Sequence, residues 1–253
     1  MQDRVALVTG AGRGIGRSAA IALARRGARV MAVARTEDEL VALAAEQPGI
    51  EWFAGSLHTP EACAAVIAET RRRLGPITIL VNNAGVGSAD DGELWSQDLD
   101  AFRYTMAVNL EAPLLLSQKA SRDMREAGYG RIVMVASTAG QIGSPRNISY
   151  TTSKHALLGL MRASAQDVGS FGGTCNAVLP GWVYTEMADR SADRHAERSG
   201  KTRAEIWAER DQLYPRKRAL EPQEIAEMIA FLCSEAASGV NGEAITVAAG
   251  GME

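Results

Sequence analysis

A glycine-rich turn near the N-terminus constrains the fold of this chain more than any other feature of the sequence. The turn reads Thr9-Gly10-Ala11-Gly12-Arg13-Gly14-Ile15-Gly16 and follows a short apolar run, Val5-Ala6-Leu7-Val8. An amphipathic stretch from Arg17 to Arg26 comes directly after it. Glycines allow a tight turn and a close backbone approach to a phosphate, and the N-terminus of a helix offers N–H groups that lack intrahelical partners. The order of strand, turn and helix therefore predicts the first unit of a parallel sheet that binds a dinucleotide.

The rest of the chain repeats this alternation of short apolar runs and longer amphipathic stretches. The further strand candidates are Arg29–Ala34, Glu51–Ala54, Ile77–Val81, Arg131–Ala136, Cys175–Leu179 and Ala244–Val247. The helical candidates are Glu37–Glu46, Pro60–Leu74, Leu99–Ala127, Tyr150–Ser170 and Pro222–Ser234. Most strand candidates lack polar alternation, as expected for strands that are buried on both faces of a parallel sheet. The pattern predicts an α/β fold with one Rossmann-type, doubly wound parallel sheet of about seven strands and helices on both faces.

Two parts of the pattern are less regular. The stretch Leu99–Ala127 contains Pro113, which cannot donate an interior hydrogen bond, so we expect the helix to break near that residue. Residues 186–221 are polar and densely charged, and we expect an irregular segment there. Ligands of open α/β sheets bind beyond the carboxyl ends of the strands, where a mobile segment would cover the site. The sequence predicts one domain over residues 1–253, with 186–221 as a lid over the substrate.

Composition and charge narrow the class of protein. The chain is 46% hydrophobic and 23% charged, which is typical of a packed globular domain. Its net charge of −3 arises from 27 basic and 30 acidic residues that are well mixed, so we expect neither a nucleic-acid nor a membrane partner. The N-terminus has no charged leader and no long apolar stretch. These features predict a cytoplasmic protein that acts on a small molecule.

Cysteine and histidine spacing predicts neither a disulfide framework nor a metal site. Cys63, Cys175 and Cys233 are too scattered for bridges or paired ligands, which favours a reducing compartment. The histidines share no spacing either, and a lone histidine is usually a surface or packing residue; they are His58, His155 and His195. We predict no metal.

A candidate catalytic group lies in the second half of the chain. Ser137 follows a predicted strand, and Tyr150 and Lys154 are four residues apart at the start of a predicted helix. That spacing puts both side chains on one helix face, where the ammonium favours the phenolate. An ammonium at about 4 Å in an effective dielectric near 20 contributes about 4 kcal/mol, enough to lower a phenol pKa from about 10 to about 7. We expect Tyr150 to exchange a proton with an alcohol oxygen that Ser137 positions, while a cofactor carries the hydride.

The end of the second predicted strand indicates which nicotinamide cofactor binds. A carboxylate there would bind the adenosine ribose, whereas an arginine accommodates a 2′-phosphate. The strand ends Val33-Ala34-Arg35-Thr36, and Arg13 projects from the glycine-rich turn. Two charge-assisted bonds that are partly exposed give about a hundredfold preference for the phosphate. We therefore expect NADP(H) rather than NAD(H), although both arginines could instead be solvated loop residues.

Taken in order, the motifs resemble the short, single-domain branch of the short-chain dehydrogenase/reductase family, and the chain is 3-oxoacyl reductase-like over essentially its whole length. The further motifs that carry the resemblance are Asn82-Asn83-Ala84-Gly85, Val108-Asn109-Leu110 and Pro180-Gly181-Trp182-Val183-Tyr184-Thr185. The resemblance implies a Rossmann fold, a nicotinamide cofactor and a homotetramer or homodimer. It also implies a catalytic tetrad of Asn109, Ser137, Tyr150 and Lys154, in which Asn109 holds a proton-relay water behind the lysine.

The resemblance also implies which residues contact the cofactor. Lys154 would bond the nicotinamide ribose, and Val183 and Thr185 would hold the carboxamide. The full set is Gly10, Gly12, Arg13, Gly14, Ile15, Gly16, Arg35, Ser56, Leu57, Asn83, Ala84, Gly85, Tyr150, Lys154, Pro180, Gly181, Val183 and Thr185. The chain departs from the family at Gly55-Ser56-Leu57-His58, where members usually have an aspartate near the adenine, and its segment 188–212 is longer than in compact members.

Substrate contacts are less defined than cofactor contacts. Trp182 and Met187 are candidates for the pocket wall, and Arg146 for an acidic substrate group, although a solvated loop arginine is the simpler interpretation of Arg146. The run Arg216-Lys217-Arg218 could bind an anion near the lid or be a solvated run.

The sequence as a whole predicts an NADP(H)-dependent oxidoreductase that interconverts a secondary alcohol and a ketone. The alternative is a non-catalytic NADP-binding sensor or scaffold. An enoyl reductase is less favoured because related enzymes separate tyrosine and lysine more widely, and a sugar epimerase would need a larger substrate domain.

Overall fold

The computed structural model describes residues 1–87 and 92–251. The strands are β1 (Val5–Thr9), β2 (Arg29–Ala34), β3 (Ile50–Ala54), β4 (Ile79–Asn82), β5 (Gly130–Val135), β6 (Gly173–Pro180) and β7 (Ala244–Val247). The helices are α1 (Gly14–Arg25), α2 (Glu37–Glu46), α3 (Pro60–Leu74), α4 (Leu99–Met106), α5 (Ala112–Ala127), α6 (Ile148–Gly169), α7 (Glu186–Ser199), α8 (Arg203–Gln212) and α9 (Pro222–Leu232). The predicted bounds of β2, α2, α3 and β7 match the structure.

The seven strands form one parallel sheet in the order β3-β2-β1-β4-β5-β6-β7. The chain builds the sheet outward from β1 to β3, then returns to the other side of β1 with β4. This reversal leaves the carboxyl ends of β1 and β4 side by side, which is where open α/β sheets bind ligands. The predicted doubly wound parallel fold is confirmed.

Each face of the sheet is covered by helices, so the central strands are buried on both sides. Along β1, Ala6 and Val8 join the apolar core that contains α1 and α9, while Val5 and Leu7 join the core that contains α3, α5 and α6. The alternation follows from the two-residue period of a strand. Because both faces are buried, the run Val5–Val8 is apolar at every position.

The expected break in the long central helix lies just before Pro113. Regular α-helix ends at Met106, a π-helical turn covers Ala107–Glu111, and α5 resumes with Pro113 in its first turn. The Ala112 N–H donates to the Ala107 carbonyl oxygen in the π-helical pattern, and Pro113, which has no N–H to donate, follows directly at the point where the hydrogen-bond pattern changes. The π-helical turn carries Asn109 toward the neighbouring loop.

The prediction of an irregular segment over residues 186–221 is wrong, because α7 and α8 occupy most of it. Each helix has a side-chain cap: Thr185 accepts from the Ala188 N–H, and Thr202 forms a capping box with Glu205. The apolar face of α7 is made only of alanines at four-residue spacing, Ala188, Ala192 and Ala196. Such small side chains make a weak amphipathic signal in a densely charged stretch.

No helix within the described ranges is long and apolar enough to cross a membrane. The three cysteines are free and buried.

Candidate functional site

The glycine-rich turn joins β1 to α1 and is hydrogen-bonded to the loop that follows β4. The Thr9 hydroxyl donates to the Val81 carbonyl oxygen at 3.2 Å and accepts from the N–H groups of Asn83 and Ala84, each at 3.0 Å. The Asn83 amide donates to the carbonyl oxygens of Thr9 and Gly10, at 2.9 and 3.1 Å. The two loops at the strand-order reversal therefore form one hydrogen-bonded unit.

Two glycines of this turn leave no room for a side chain. Gly10 has φ +65, and a Cβ there would lie 2.8 Å from Asn83 Nδ2. A Cβ on Gly16 would lie 2.2 Å from the Gly10 carbonyl oxygen. At the start of α1, Arg13 makes no side-chain cap, so the first N–H groups of the helix are left to an external acceptor. This cradle fits the pyrophosphate of a dinucleotide.

A first cavity, of about 470 Å³, opens over the turn and the ends of the neighbouring strands. The residues predicted to contact the cofactor that line it are Gly10, Gly12, Arg13, Gly14, Ile15, Arg35, Ser56, Leu57, Asn83, Ala84, Gly85 and Thr185. Gly16 is buried behind the turn. At the adenosine end, the Ser56 hydroxyl and the His58 Nδ1 atom form a hydrogen bond of 2.7 Å.

Acidic side chains share the end of this cavity that was predicted to bind a phosphate. The Arg13 guanidinium forms ion pairs with Glu39, at 2.9 Å, and with Glu186 at the start of α7, at 2.6 Å. Arg35 is exposed at the tip of β2 and lines the same cavity. Sequence reasoning missed Glu39, although its position one helical turn after Arg35 was a usable signal. A bound phosphate would therefore compete with carboxylates for Arg13.

A second cavity, of about 770 Å³, adjoins the first and contains the predicted catalytic residues. Ile15, Asn83, Gly85 and Thr185 line both cavities, which makes them one continuous cleft. Ser137 follows β5, Tyr150 lies in the first turn of α6, and Lys154 lies one turn later; all three line the second cavity. The Ser137 hydroxyl oxygen accepts from the Ala139 N–H at 3.2 Å.

Lys154 is buried beneath the second cavity. Its ammonium donates to the Val135 carbonyl oxygen at 2.9 Å and lies 5.5 Å from the centroid of the Tyr150 ring. Burial lowers the pKa of Lys154 from its ordinary 10.5 to about 8, because the charged form loses its hydration. The predicted stacking of tyrosine and lysine on one helix face is present.

Asn109 connects the π-helical turn to two neighbouring elements. Its amide nitrogen donates to the Val86 carbonyl oxygen at 2.9 Å and to the Ser153 hydroxyl at 3.0 Å, and its Oδ1 accepts from the Val86 N–H at 2.8 Å. A Cβ on Gly85 would come within 3.3 Å of Asn109 Oδ1 and 3.6 Å of the Lys154 ammonium. Asn109 therefore lies beside Lys154 and holds the loop after β4 against α6.

The end of β6 and the segment after it line the second cavity. Pro180, Gly181 and Val183 line the second cavity, and Val183 pairs with Leu220 in an isolated bridge. The Thr185 hydroxyl donates to the Val183 carbonyl oxygen at 3.3 Å and caps α7.

Known proteins resemble this chain over nearly its whole length. The family model described as Enoyl-(Acyl carrier protein) reductase matches residues 10–252. The 3-oxoacyl-[acyl-carrier-protein] reductase FabG of Escherichia coli is 33% identical over 253 residues, covering 98% of this chain and 97% of that protein. The chain belongs to the short-chain dehydrogenase/reductase family.

Two solved structures of reductases share the fold of this short-chain dehydrogenase/reductase. Levodione reductase superposes with a TM-score of 0.92 at 31% identity and covers 99% of this chain and 98% of its own. A variant of actinorhodin polyketide ketoreductase with NADPH also has a TM-score of 0.92 at 31% identity, covering 98% and 96%. The protein is therefore an oxidoreductase of a family whose members use a nicotinamide cofactor, and the resemblance drawn from the motifs is confirmed.

The helices α7 and α8 of this short-chain dehydrogenase/reductase add residues to the second cavity that sequence reasoning missed. Those with polar side chains are Ser191, Arg194, His195, Arg198, Ser199 and Arg210. The sequence contained a usable signal for these residues, because Ser191, Arg194, His195 and Arg198 have the spacing of one helical face. That face is offset from the face of the buried alanines. It was overlooked because the segment was expected to be irregular.

The three residues predicted to contact the substrate all line the second cavity. Trp182 and Met187 line the second cavity, and the guanidinium of Arg210 stacks on the Trp182 ring at 3.5 Å. Arg146 also lines it, with φ +58 and an ion pair to Glu93 at the rim.

The basic run 216–218 lines neither cavity. Arg216 and Arg218 pair with Glu224, and the Lys217 ammonium donates to the Gln212 carbonyl oxygen. The suggestion that this run binds an anion near the lid stays a prediction, and its pairing with Glu224 fits the alternative of a surface run equally well.

Proposed function

We propose that this protein reduces a ketone to a secondary alcohol with NADPH, or runs the reverse reaction, using Tyr150 as the general acid or base. The observation that carries the proposal is the continuity of the cleft. The glycine-rich cradle lies at one end, and Ser137, Tyr150 and Lys154 line the other. A dinucleotide held at the cradle would extend its reactive ring toward these three side chains.

The bound nicotinamide would supply or accept the hydride. Tyr150 would give its phenolic proton to the carbonyl oxygen as that oxygen gains negative charge, and Ser137 would hold the same oxygen by a hydrogen bond. The Ser137 hydroxyl oxygen already accepts from the Ala139 N–H, which leaves its proton to be donated to a substrate.

Lys154 would act on both the proton and the cofactor. With a pKa of about 8, its ammonium is largely protonated at neutral pH and favours the phenolate that Tyr150 becomes after proton transfer. The neighbouring Asn109 would hold a water that returns a proton through this lysine. Binding of the nicotinamide ribose hydroxyls by the Lys154 ammonium completes the proposed role.

The preference for NADP(H) over NAD(H) rests on Arg13 and Arg35 at the adenosine end. Glu39 opposes it, because a carboxylate beside a 2′-phosphate is repelled. Arg35 is an exposed cation on this rim, and Arg13 has two carboxylate partners that a phosphate would replace in part. We expect NADPH to bind about a hundredfold more tightly than NADH if Arg35 and Arg13 together form two charge-assisted bonds.

Residues 186–221 would cover the substrate within a single domain that spans residues 1–253. In support, α7 and α8 line the second cavity, and Arg13 ties the start of α7 to the glycine-rich turn. Cofactor binding that draws Arg13 toward a phosphate would loosen this tie.

The proposal also includes a cytoplasmic location and self-association. The exposed apolar side chains of Leu94, Trp95 and Leu99 offer a surface for a second copy of the chain.

The proposal is tested by titrating the purified protein with NADPH and NADH and then assaying ketones and 2-enoyl thioesters through loss of reduced-cofactor absorbance. We expect ketone turnover, and Tyr150→Phe should lower kcat by about 10²- to 10⁴-fold with cofactor binding retained. The matched control is Tyr129→Phe, because Tyr129 is buried outside both cavities and donates to the Cys233 carbonyl oxygen.

The other outcomes separate the competing functions. Turnover of enoyl thioesters without ketones would indicate an enoyl reductase, the activity in the family model's description. Tight NADPH binding without turnover of either class would indicate a sensor or scaffold. Near-normal activity of Tyr150→Phe would remove Tyr150 from its proposed role.

A further inference from the structure

The strand order separates the two ends of the cleft. The glycine-rich turn follows β1, whereas Ser137 and the helix that carries Tyr150 follow β5, on one side of β1 in the sheet. The strands β2 and β3 lie on the other side of β1. With the pyrophosphate of a dinucleotide at the turn and its nicotinamide beside Tyr150, the adenosine half would extend over the carboxyl ends of β2 and β3.

Ser56 is a polar side chain at this adenosine end of the cleft. It lies just beyond the end of β3 and lines the first cavity. The preceding Gly55 N–H donates to the Ala34 carbonyl oxygen at 2.8 Å, which continues the pairing of β3 with β2. The following Leu57 is buried in the core that contains α3, α5 and α6. The backbone is therefore held on both sides of Ser56, and its side chain has a defined place on the cavity wall.

Apolar side chains line the same cavity. They are Ile15, Val33, Leu57, Val86 and Val108. Such groups can cover the faces of a flat base, but they satisfy none of the hydrogen-bonding groups on its edge. A polar base edge that leaves water needs a partner, and Ser56 offers one at this end of the cleft.

The Ser56 hydroxyl is paired with a histidine that lies outside the cavity. Ser56 Oγ is 2.7 Å from His58 Nδ1. The His58 ring is exposed and lines neither cavity. Its centroid is 6.2 Å from that of the Tyr104 ring, which belongs to α4 and lines the first cavity. The contact with Tyr104 helps to hold the histidine beside Ser56.

This pairing determines whether Ser56 donates or accepts toward the cavity. A serine hydroxyl has one proton to donate and two lone pairs that accept, whereas a neutral histidine has one protonated and one unprotonated ring nitrogen. The exposed His58 ring can keep its proton on Nε2, where water accepts it, and Nδ1 then accepts the Ser56 proton. In that arrangement Ser56 Oγ has only lone pairs left for a ligand, so it acts as an acceptor.

We propose that Ser56, oriented by His58, accepts a hydrogen bond from the 6-amino group of the cofactor's adenine and thereby selects adenine over a base with a 6-carbonyl oxygen. The adenine amino group is a donor and matches the lone pairs of Ser56 Oγ. A carbonyl oxygen at that position would instead place two acceptors together with no proton between them. Ser56 is then a specificity-determining residue and His58 a positioning residue that acts through it. The inference rests on the cofactor binding in the proposed function and adds the base preference of that site.

The experiment titrates the purified protein with NADPH and with its analogue that carries hypoxanthine in place of adenine. The fluorescence of the reduced nicotinamide reports the binding of both cofactors, so no substrate is needed. We expect the Kd of the hypoxanthine cofactor to be about tenfold higher, because one hydrogen bond is lost and an acceptor is left unpaired. NADH and its hypoxanthine analogue should give the same ratio, since the 2′-phosphate takes no part in the contact with the base.

Two variants separate the roles of the serine and the histidine. Ser56→Ala removes the acceptor and should bring the two Kd values to within about twofold of each other, mainly by weakening NADPH. His58→Ala leaves the Ser56 hydroxyl free to rotate and to donate to a 6-carbonyl oxygen. The Kd of the hypoxanthine cofactor should therefore fall by about three- to tenfold while that of NADPH changes by less than about twofold. A merely structural effect would weaken both cofactors.

The matched control is His155→Ala. His155 is an exposed histidine of α6 that lines neither cavity, and its Nδ1 atom lies 3.0 Å from the Thr151 carbonyl oxygen. Its ratio of Kd values should equal that of the wild type.

The outcomes distinguish this inference from the proposed function. Equal affinity of the wild type for the two bases overturns the inference and leaves ketone reduction intact. Tighter binding of the hypoxanthine cofactor would mean that His58 donates to Ser56, which also overturns it, as does a preference for adenine that His58→Ala leaves unchanged. A preference that both variants abolish, without turnover of any ketone, supports the base contact and refutes the reaction. Binding of neither cofactor overturns the proposed function together with this inference.

Discussion

Replacing Lys154 with methionine should make the protein without cofactor more stable. Lys154 is 4% exposed, and burial of its ammonium lowers its pKa from 10.5 to about 8. Each pKa unit corresponds to about 1.4 kcal/mol, so the buried charge destabilises the folded state by about 3 kcal/mol at pH 7. Methionine fills a similar volume without a charge.

The stabilisation expected for Lys154→Met is reduced by the loss of one hydrogen bond. The Lys154 ammonium donates to the Val135 carbonyl oxygen at 2.9 Å, and such a bond contributes about 1 kcal/mol. The net stabilisation at pH 7 is therefore about 2 kcal/mol. For a chain of this length that raises Tm by about 4 to 8 °C.

The pH dependence of the stability difference between the two proteins shows whether the buried charge of Lys154 is its cause. Below pH 8 the folded and unfolded chains both hold the Lys154 proton, so the destabilisation is constant. Between pH 8 and 10.5 the folded protein has lost the proton while the unfolded chain keeps it, and wild-type stability rises with pH. The advantage of the variant should therefore fall from about 2 kcal/mol at pH 7 to about zero at pH 10. Burial raises the pKa of Cys175 and of Cys233 to about 12, an opposite trend that both proteins share and that cancels in the difference.

The assay is urea unfolding of wild type and Lys154→Met at pH 7 and pH 10, at fixed ionic strength and without cofactor. The matched control is Lys217→Met, which removes an exposed lysine and should change stability by less than about 0.5 kcal/mol. A variant that is less stable than the wild type at pH 7, or whose advantage is the same at both pH values, would refute the argument from burial.

Three further predictions concern the cofactor end. Arg35→Asp should raise the Kd of NADPH by about a hundredfold and that of NADH by far less, and an unchanged ratio in a fluorescence titration would contradict the phosphate site. Glu39→Gln removes one of the two carboxylates that pair with Arg13 and should lower the Kd of NADPH by about three- to tenfold while leaving that of NADH unchanged, whereas an unchanged Kd for NADPH with a higher Kd for NADH in the same titration would mean that Glu39 binds the ribose. Gly16→Ala should destabilise the protein by about 1 to 3 kcal/mol, because its Cβ would meet the Gly10 carbonyl oxygen at 2.2 Å, and an unchanged melting temperature would show that the turn adopts another geometry.

Local chemistry made much of the fold predictable. The helix α3 is capped by Thr59, whose hydroxyl accepts from the Ala62 N–H, and has Pro60 in its first turn, while Gly75 with φ +94 follows its last residue, so both of its bounds could be predicted. The strands buried on both faces appear as continuous apolar runs, as β1 does. The glycine pattern and the four-residue spacing of Tyr150 and Lys154 are likewise visible in the amino-acid sequence alone. These signals predict structure correctly because each of them depends only on residues that are close together in the sequence.

The segment 186–221 could not be predicted in this way. The helix α7 buries only alanines against α8, and an alanine face in a charged stretch has little apolar contrast. The stability of α7 depends on contacts between its alanines and the side chains of Ile206 and Trp207, which belong to the next helix, α8. The residues that α7 and α8 contribute to the second cavity were missed for the same reason, because they line it only once these helices form.

The sequence by itself determined the parallel sheet, the order of its motifs and the candidate catalytic side chains, since period, turn and spacing are local properties of the chain. Only the tertiary structure decided which charges meet. Arg13 pairs with Glu39 and Glu186, and the Arg210 guanidinium contacts the rings of Trp182 and Trp207. Electrostatic and aromatic contacts depend on distance in space, and the sheet brings together side chains that are far apart in the chain.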